Sequence, residues 1–327
     1  MAKLGVLTSG GDAPGTNACI RAVVRMALNN GYEVVGIRRG YAGLMDGDFE
    51  AIDGRFVGGI AHRGGTILKT ARTERFKTKE GQDLALKNLE RNGIDVLVVL
   101  GGDGSLTGAL RLQEAGFPVM GAPATIDNDV AFTDMAMGVD TAMNTALRAI
   151  DKIKDTATSH RRAFLVETMG RDSGYLALMV GMASAAEAII IPEVPSSCEG
   201  VLASIKEAHR KGKAHFIAVI AEGADPDCRS LDHFLKERQE ELGFGVRVSI
   251  LGYIQRGGAP TAFDRLLGTR LGAEAVRQLT SGHSGKMVGL VGSEMVATDL
   301  AEVIGTKREA DLDLYNLAQA LEVYPTT

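Results

Sequence analysis

Several features that would place the chain in a specialised class of protein are missing. No apolar run approaches the roughly 18 residues of a membrane span, and the basic residues form no tail or stripe of the kind that binds nucleic acid. The three cysteines are far apart, which fits neither a disulfide framework nor a zinc site. The six histidines form no HExxH pair, and residues 1–12 enter a strand pattern without a signal peptide. We therefore expect a soluble, cytoplasmic, metabolic protein that binds neither a membrane nor nucleic acid.

Length and composition indicate two ordinary globular domains. The chain has 327 residues, of which 45% are hydrophobic and 24% are charged, with a net charge of −5. We expect a larger domain of residues 1–138 plus about 256–305, and a smaller domain of residues 139–255 plus about 306–327. The chain would cross between the two domains more than once.

Short apolar runs rich in Val and Ile alternate with longer segments of helical period. The runs predict strands at 4–8, 33–37, 95–100, 118–122, 163–168, 187–191, 215–220, 246–251 and 287–291. The segments predict helices at 17–29, 80–92, 105–115, 139–155, 200–211, 231–241 and 264–279. Continuous apolar strands flanked by helices indicate parallel sheets covered on both faces. The expected fold class is α/β, with two Rossmann-like three-layer α/β/α domains, mostly parallel sheets and the active site in the cleft between the domains.

Two glycine-rich turns follow predicted strands. The first is 8-TSGGDAPGTN-17 and the second is 101-GGDGSLTG-108. Glycines let the backbone approach a ligand closely, and the helix that follows offers free N–H groups and its positive dipole end to an anion. Neither turn is a Walker A loop or a Rossmann fingerprint, and either could be a turn without a ligand. Asp103 in the second turn would repel phosphate unless a cation joins them, and Mg²⁺ binds carboxylates together with phosphates.

Two carboxylates flank Asn128 in 123-PATIDNDV-130, directly after a buried-looking strand. In an extended chain Asp127 and Asp129 point to the same side, and Asp103 could lie close to them. Three carboxylates together would raise each other's pKa, which a divalent ion relieves. The hypothesis is that Asp103 and Asp129 serve Mg²⁺ while Asp127 acts as a base. The alternative is a pair of Asx turns in a surface loop.

Arginines beside glycines and strand ends could bind an anionic substrate, since the guanidinium group forks onto phosphate oxygens. A single arginine is more often a solvated surface residue, but several beside glycines and strand ends favour anion binding. The candidates are Arg72, Arg162, Arg171, Arg247 and Arg256. Glu222 follows another predicted strand, where its carboxylate could accept hydrogen bonds from sugar hydroxyls or serve a helix dipole.

The motifs that carry these residues occur in one characteristic order. They are TSGGDAPGTN, GGTILKTAR, GGDGS, TIDND, ETMGR and GYIQRGG. In this order, and over nearly the whole chain, they resemble the successive signatures of the 6-phosphofructokinases, in particular the compact bacterial, ATP-dependent members. GGDG alone is weak evidence for this family, because NAD kinases and diacylglycerol kinases have similar stretches. Its combination with TIDND and IQRGG is specific.

The resemblance implies transfer of the γ-phosphoryl group of ATP to the 1-hydroxyl of fructose 6-phosphate, the committed step of glycolysis, with Mg²⁺ as cofactor. It implies that Asp127 is the catalytic base, that Thr125 binds the transferred group and that Arg171 stabilises its charge. Asp103 and Asp129 would hold Mg²⁺ directly or through water. The nucleotide would be bound by Gly11, Arg72, Thr73, Gly102, Asp103, Gly104 and Ser105.

The resemblance also implies a sugar-phosphate site shared between subunits of a homotetramer. Its residues would be Thr125, Asp127, Arg162, Met169, Gly170, Arg171, Glu222, Arg247, Tyr253 and Arg256. Arg162 and Arg247 would reach this site from a neighbouring subunit. Tyr253 stands where the family commonly has histidine, and a phenol cannot become cationic. We therefore expect a weaker pH response of sugar-phosphate binding.

Two small residues bear on the phosphoryl donor. Family members that use pyrophosphate typically have Asp at the position of Gly104 and Lys at the position of Ala124. An Asp side chain would intrude where the α-phosphate of a nucleotide passes, and a Lys would supply charge for pyrophosphate. The small residues favour ATP, and a pyrophosphate-dependent enzyme is the alternative. A third reading is a non-catalytic phosphosugar-binding regulatory protein, against which the retention of Asp127 and Arg171 argues.

Bacterial relatives also have an effector site between subunits for ADP or phosphoenolpyruvate. The residues at matching positions are Arg21, Arg25, Lys154, Glu187, Lys211 and Lys213. Arg21 and Arg25 are spaced to share one helix face, which suits an anion. Lys154 stands where Arg is usual, and an ordinary basic interface is the alternative. Lys69 is also unexpected in GGTILKTAR, where it could touch phosphate or be solvated.

Overall fold

The computed structural model describes residues 1–308, 310–321 and Tyr324, and the chain divides into two compact units. Unit 1 consists of Met1–Thr125, Asp129–Thr141 and Arg256–Arg308. Unit 2 consists of Ile126–Asn128, Ala142–Gln255 and the described residues of 309–327. The short segment Ile126–Asn128 therefore belongs to a different unit from the residues on either side of it.

Strands and helices alternate along most of the described chain. The strands are β1 (Lys3–Thr8), β2 (Glu33–Ile37), β3 (Phe49–Ile52), β4 (Val96–Gly101), β5 (Val119–Pro123), β6 (Arg162–Thr168), β7 (Ala188–Ile190), β8 (Phe216–Ala221), β9 (Gly245–Ile250), β10 (Lys286–Val291) and β11 (Glu294–Asp299). The helices are α1 (Thr16–Asn29), α2 (Gly40–Asp46), α3 (Lys79–Arg91), α4 (Asp103–Glu114), α5 (Val139–His160), α6 (Tyr175–Ala183), α7 (Cys198–Arg210), α8 (Cys228–Glu237), α9 (Gln239–Leu242), α10 (Ala262–Thr280), α11 (Leu300–Gly305) and α12 (Leu312–Ala320). Short 3₁₀ helices lie at Arg75–Lys77 and Gly252–Arg256.

The sheet of unit 1 has the strand order β11-β10-β5-β4-β1-β2-β3. Its central strands pair in parallel, and the antiparallel strands β11 and β3 form the two edges. Leu100 of β4 is in register with Thr8 of β1, and Gly101 is in register with Pro123 of β5. The loops after β1, β4 and β5 therefore start side by side, where open α/β sheets bind their ligands.

Helices cover both faces of this sheet, because successive side chains of a strand point to opposite faces. In β4, Val98 and Leu100 are buried in a cluster with residues of α1 and α10. Leu97 and Val99, which alternate with them, are buried in a second cluster with residues of α3 and α4. Full burial of one such side chain contributes about 1.5–3 kcal/mol, so both faces hold the strand in place.

The sheet of unit 2 has the strand order β7-β8-β6-β9 and is parallel throughout. Thr168 at the end of β6 is in register with Ala221 of β8, and Glu167 is in register with Ile250 of β9. The loops after β6, β8 and β9 therefore also start side by side. The predicted α/β class with mostly parallel sheets is confirmed.

The structure differs from the prediction where the sequence has no clear period. The elements that the pattern does not predict are β3, β11, α2, α6, α11 and α12. The helix expected at 231–241 is two helices, α8 and α9, with a break at Arg238. α8 starts at Cys228, earlier in the chain than predicted, because the side chain of Asp227 accepts a hydrogen bond from the N–H of Ser230 at 2.7 Å and caps the helix there. None of the helices in the described residues combines the length and apolarity that crossing a membrane requires.

Candidate active site

The glycine-rich turn after β1 is held by its neighbours in unit 1. Thr70 Oγ1 donates a hydrogen bond to the carbonyl of Gly10 at 2.7 Å. The guanidinium group of Arg256 lies over the turn and donates to the carbonyl of Asp12 at 3.4 Å. A Cβ atom on Gly11 would lie 2.1 Å from Arg256 Nη1, so glycine leaves the room that this guanidinium group occupies. The structure thus brings together two predicted site residues, Gly11 and Arg256.

The irregular segment 63–73 is fastened to α1 by Asn17, a residue that the sequence analysis did not single out. Asn17 Oδ1 accepts a hydrogen bond from the N–H of Ile67 at 2.9 Å. Its Nδ2 atom donates to the carbonyl of Arg63 at 3.0 Å. Asn17 is buried, and a buried amide with both ends bonded fixes the backbone that it contacts. The only sequence signal was a polar side chain at the start of the helix, directly after the glycine-rich turn.

Further along this segment, Lys69 adopts the left-handed backbone conformation, with φ +59°. This conformation costs a non-glycine residue roughly 1–2 kcal/mol. Thr8 Oγ1 holds it by donating to the carbonyl of Lys69 at 2.8 Å. Lys69 and Arg72 are exposed and Thr73 is half-buried. The side chains expected to meet phosphate are therefore accessible.

The turn after β4 leads straight into α4. Gly102 is the N-cap, and Asp103 and Gly104 are the first two helical residues, both exposed. A Cβ atom on Gly104 would meet nothing within 4 Å in the described part of the chain, so packing does not require glycine there. Ser105 is buried, and its carbonyl accepts a hydrogen bond from the Tyr41 hydroxyl at 2.6 Å. Burial raises the pKa of Tyr41 well above its usual range, so the phenol stays a donor and fixes this turn.

The acidic segment after β5 is not extended, so the condition under which Asp127 and Asp129 would point to the same side is not met. Asn128 between them has φ +50°, a left-handed conformation that asparagine tolerates better than most residues. Asp127 is buried in unit 2, whereas Asp129 is half-buried and belongs to unit 1. Thr125 is also buried, and its N–H donates to the carbonyl of Met137 at 3.1 Å.

In unit 2, Asp127 forms an ion pair with Arg171. Arg171 Nε lies 3.4 Å from Asp127 Oδ2, and the two side chains are 52% and 3% exposed, respectively. An ion pair with one partner in solvent contributes little to stability, so the contact orients the two groups more than it holds the fold. The predicted base and the predicted charge-stabilising residue are therefore neighbours.

Glu222 holds the loop that carries Arg171, a role that the sequence did not indicate. Its Oε1 atom accepts hydrogen bonds from the N–H groups of Gly170 at 3.3 Å and Arg171 at 2.7 Å. Arg171 has φ +50°, so these bonds fix a conformation that is unfavourable for arginine. Met169 and Gly170 are buried beside it. Contact of Glu222 with sugar hydroxyls stays a prediction.

Two of the predicted anion-binding arginines share one face of the unit 2 sheet. Arg162 is in register with Gly245, and Arg247 is in register with Phe164. Side chains two residues apart on a strand lie on the same face, so Arg162 and Arg247 do. Arg247 is exposed on the edge strand β9, and Arg162 is half-buried. Tyr253, in the 3₁₀ helix after β9, is 82% exposed.

Four of the predicted effector residues lie at or near one pocket in unit 2. The pocket, of about 260 Å³, is lined by Gly181, Met182, Ala185, Ala186, Glu187, Lys213, Ala318 and Leu321. Glu187 and Lys213 form an ion pair at 3.4 Å. Lys154 donates to the carbonyls of Ser184 and Ala185, so backbone oxygens engage its ammonium group. Lys211 lies 5.0 Å from the centre of the Tyr324 ring, and the Tyr324 N–H donates to the carbonyl of Glu187 at 2.8 Å.

The other two predicted effector residues, Arg21 and Arg25, lie on α1 of unit 1. They are one helical turn apart and so share a face. Arg25 Nη2 donates to the carbonyl of Gly54 at 3.4 Å, and Arg25 is exposed. Their participation in an effector site stays a prediction.

The acids predicted to serve Mg²⁺ follow two paired strands of unit 1. Asp103 starts α4 after β4, and Asp129 comes after β5, which pairs with β4. Among the described residues, no three His, Cys, Asp or Glu side chains form a group that could hold a metal ion. One or two carboxylates are nevertheless a donor set that fits Mg²⁺, because this ion takes its remaining oxygen ligands from phosphates and water.

Parallel sheets whose carboxyl ends lead into glycine turns, acids and arginines define an α/β protein with the residue types that bind phosphate. A family model described as "Phosphofructokinase" matches residues 3–279. The chain belongs to the phosphofructokinase family, which confirms the family predicted from the motifs.

Relatives and solved structures agree with this assignment. An ATP-dependent 6-phosphofructokinase from Thermotoga neapolitana is 51% identical over 322 residues, covering 98% of this chain and 100% of the relative. A phosphofructokinase structure from Saccharomyces cerevisiae is 34% identical with a TM-score of 0.85; the match covers 98% of this chain but only 47% of the yeast chain. This chain thus spans about half of the yeast chain's length. The structure of a pyrophosphate-dependent phosphofructokinase from Marinobacter aquaeolei is 21% identical, with a TM-score of 0.84 and coverage of 100% and 93%, and supports the fold alone.

Proposed function

We propose that this chain transfers the γ-phosphoryl group of ATP to the 1-hydroxyl of fructose 6-phosphate, giving fructose 1,6-bisphosphate and ADP. The observation that carries the proposal is the buried carboxylate of Asp127 with the guanidinium group of Arg171 at 3.4 Å. A base beside a group that stabilises developing charge is what phosphoryl transfer needs. A phosphosugar sensor without catalysis would need no base. The relatives named for this activity along the whole chain support the proposal.

In this mechanism Asp127 accepts the proton of the sugar 1-hydroxyl as the oxygen attacks the γ-phosphorus. Arg171 donates hydrogen bonds to the phosphoryl oxygens as negative charge builds up on them. Thr125 binds the transferred group through its hydroxyl, and the backbone bond to Met137 keeps Thr125 in place. Glu222 fixes the backbone of Arg171. Most of the catalysis is thus positioning and electrostatics.

The phosphates of the nucleotide and the phosphate of the sugar are bound by separate groups of residues. The nucleotide is bound by Gly11, Arg72, Thr73, Gly102, Asp103, Gly104 and Ser105 in the larger domain. The sugar phosphate is bound by Arg162, Met169, Gly170, Glu222, Arg247, Tyr253 and Arg256, most of them in the smaller domain. Asp103 and Asp129 would hold Mg²⁺, which when bound neutralises charge on the phosphates of ATP.

The donor is ATP rather than pyrophosphate. The position of Gly104 supports this, because a Cβ atom there would meet nothing within 4 Å in the described part of the chain. The absence of a side chain is therefore better explained by a ligand than by packing. Ala124 adds no charge where pyrophosphate would need one.

We further propose a cytoplasmic homotetramer in which Arg162 and Arg247 serve the active site of a neighbouring subunit. Their common face beside the edge strand β9 supports this, because it leaves Arg247 accessible to another chain. The pocket beside Glu187 and Lys213 would bind ADP or phosphoenolpyruvate, with Lys154, Lys211, Arg21 and Arg25 as further candidates.

Formation of fructose 1,6-bisphosphate from fructose 6-phosphate and Mg²⁺ tests the function, with ATP and pyrophosphate offered in parallel. We expect turnover with ATP alone. In Asp127→Ser we expect fructose 6-phosphate to bind while kcat falls by about 10²–10⁴-fold, the usual contribution of general base catalysis. Turnover with pyrophosphate would overturn the donor, and full turnover of Asp127→Ser would overturn the base. Absence of turnover with both donors would favour a phosphosugar-binding protein without catalysis.

A further inference from the structure

A fully buried carboxylate on α10 connects distant segments of unit 1. Asp264 is 0% exposed. Its Oδ1 atom accepts a hydrogen bond from the N–H of Gly138 at 2.9 Å. Its Oδ2 atom accepts one from the N–H of Thr141 at 2.8 Å and one from the Thr141 hydroxyl at 2.5 Å. The donors lie at the start of α5, so Asp264 caps this helix from another helix, where its negative charge also suits the helix dipole.

The hydroxyl groups around Asp264 donate and accept in an order that requires both oxygens of Asp264 to accept hydrogen bonds. Thr141 Oγ1 donates to Asp264 and accepts from the N–H of Thr261 at 3.1 Å. Thr261 Oγ1 donates to Asp140 Oδ2 at 2.6 Å and accepts from the N–H of Asp264 at 3.3 Å. A hydroxyl group has one proton and so donates one hydrogen bond, which Thr141 donates to Asp264 and Thr261 donates to Asp140. Asp264 must therefore accept at both oxygens, which a carboxylate can do and an amide cannot.

This cap lies at the base of the segment 124–137, which carries Thr125, Asp127 and Asp129 of the proposed site. The carbonyl of Met137 accepts a hydrogen bond from the N–H of Thr125 at 3.1 Å, and the N–H of Met137 donates to the carbonyl of Pro123, the last residue of β5, at 3.1 Å. These two bonds close the segment into a loop. Gly138 follows directly and is held by Asp264. It has φ +102°, and a Cβ atom there would lie 2.7 Å from the Cβ atom of Ala13 in the glycine-rich turn. Gly138 is thus confined between Asp264 and the turn that is expected to bind phosphate.

We propose that Asp264 is a positioning residue for phosphoryl transfer, acting through Gly138 and Thr141 to fix the loop that carries Thr125, Asp127 and Asp129. The inference rests on the proposed function. Asp264 acts through the backbone and a hydroxyl rather than on the substrates. A displacement of about 1 Å at a catalytic group can lower the rate by on the order of 100-fold. Loss of the cap should therefore appear in kcat more than in substrate binding.

The test compares Asp264→Asn with two changes at Thr141. Asp264→Asn keeps the shape of the side chain, but its NH₂ group must face one of the N–H donors of Gly138 or Thr141. We expect kcat to fall by about 10- to 100-fold, while KM for ATP and for fructose 6-phosphate changes by less than about threefold. Thr141→Val, which removes the hydroxyl, should lose part of kcat. Thr141→Ser, which keeps it, should restore kcat.

The matched control is Glu274→Gln on the same helix. Glu274 is also buried, but its carboxylate accepts hydrogen bonds from Arg277 and Gln278 of α10 itself. Glu274→Gln should lower Tm without changing kcat when both are assayed well below Tm. Folded Asp264→Asn with native kcat, or an equal loss of kcat in Glu274→Gln, would overturn the proposal. If Asp264→Asn does not fold, equal kcat in Thr141→Val and Thr141→Ser would overturn it. Absence of turnover in the native chain would instead overturn the proposed function.

Discussion

At the scale of the residue, Tyr253 stands where the resemblance to the family predicts a histidine. Tyr253 is 82% exposed, and its phenol can donate to a phosphate oxygen but does not become cationic as the pH falls. Histidine, with an ordinary pKa of about 6.5, does. We expect KM for fructose 6-phosphate to fall toward about pH 6 in Tyr253→His, and to vary less in the native chain and in Tyr253→Phe. Steady-state kinetics between about pH 6 and pH 8 measures this, and equal profiles for Tyr253→His and the native chain would contradict it.

Glu167 gives a second prediction at this scale, on stability. Burial raises the pKa of Glu167 above its usual range, and Glu222 and Asp227 raise it further, although Arg229 lowers it. The folded chain therefore favours the protonated form of Glu167 more than the unfolded chain does. Ionisation of Glu167 makes folding less favourable as pH rises through the raised pKa. Glu167→Gln removes this ionisation, so its Tm relative to the native chain should be higher at pH 7 than below the ordinary pKa of 4.5.

Glu207→Gln is the control of opposite sign. A hydrogen bond from Arg210 lowers the pKa of Glu207, so its contribution to stability is present at neutral pH and is lost as pH falls through the lowered pKa. The Tm of Glu207→Gln relative to that of the native chain should therefore be lower at neutral pH than in acid. Thermal unfolding monitored by circular dichroism across this range compares the two variants. Parallel shifts of both variants with pH would show that neither carboxylate controls the difference.

At the scale of the element, burial explains why most of the central strands could be predicted from the sequence. β1, β4 and β8 are continuous apolar runs because helices cover both sides of the sheet. The edge strands β3 and β11 are only partly buried, with no continuous apolar run, so nothing marked them. α6 is apolar on nearly all sides, as YLALMVGMA, and therefore lacks the 3.6-residue stripe that marks a half-buried helix.

The candidate site was predictable where its residues follow strands and not where long-range partners set the geometry. The acids and glycines after β4 and β5 could be found because the ends of parallel strands bind ligands. The turn at Asn128, the bonds of Glu222 to the Arg171 loop and the cap from Asp264 could not. The last two depend on contacts with segments far away in the chain, and hydrophobic period carries no information about such pairs.

At the scale of the whole molecule, the open question is whether substrate use is regulated. The pocket beside Glu187 and Lys213 has a charged wall in unit 2, although backbone carbonyls engage Lys154. We expect ADP or phosphoenolpyruvate to change activity at limiting fructose 6-phosphate, because an anion gains from Lys213 and Lys211. Lys213→Met should remove this response, whereas Lys206→Met, at an exposed lysine paired with Glu241, should keep it.

Linkage makes this prediction stricter than an activity change alone. If an effector changes the affinity for fructose 6-phosphate by some factor, the sugar phosphate must change the affinity for that effector by the same factor. Calorimetric titration of each ligand, with and without the other, should therefore give one coupling factor, in the range of about 5–150 that is typical of allosteric sites. An activity change without reciprocal coupling would point to competition at the active site, and no response to either effector would reject regulation.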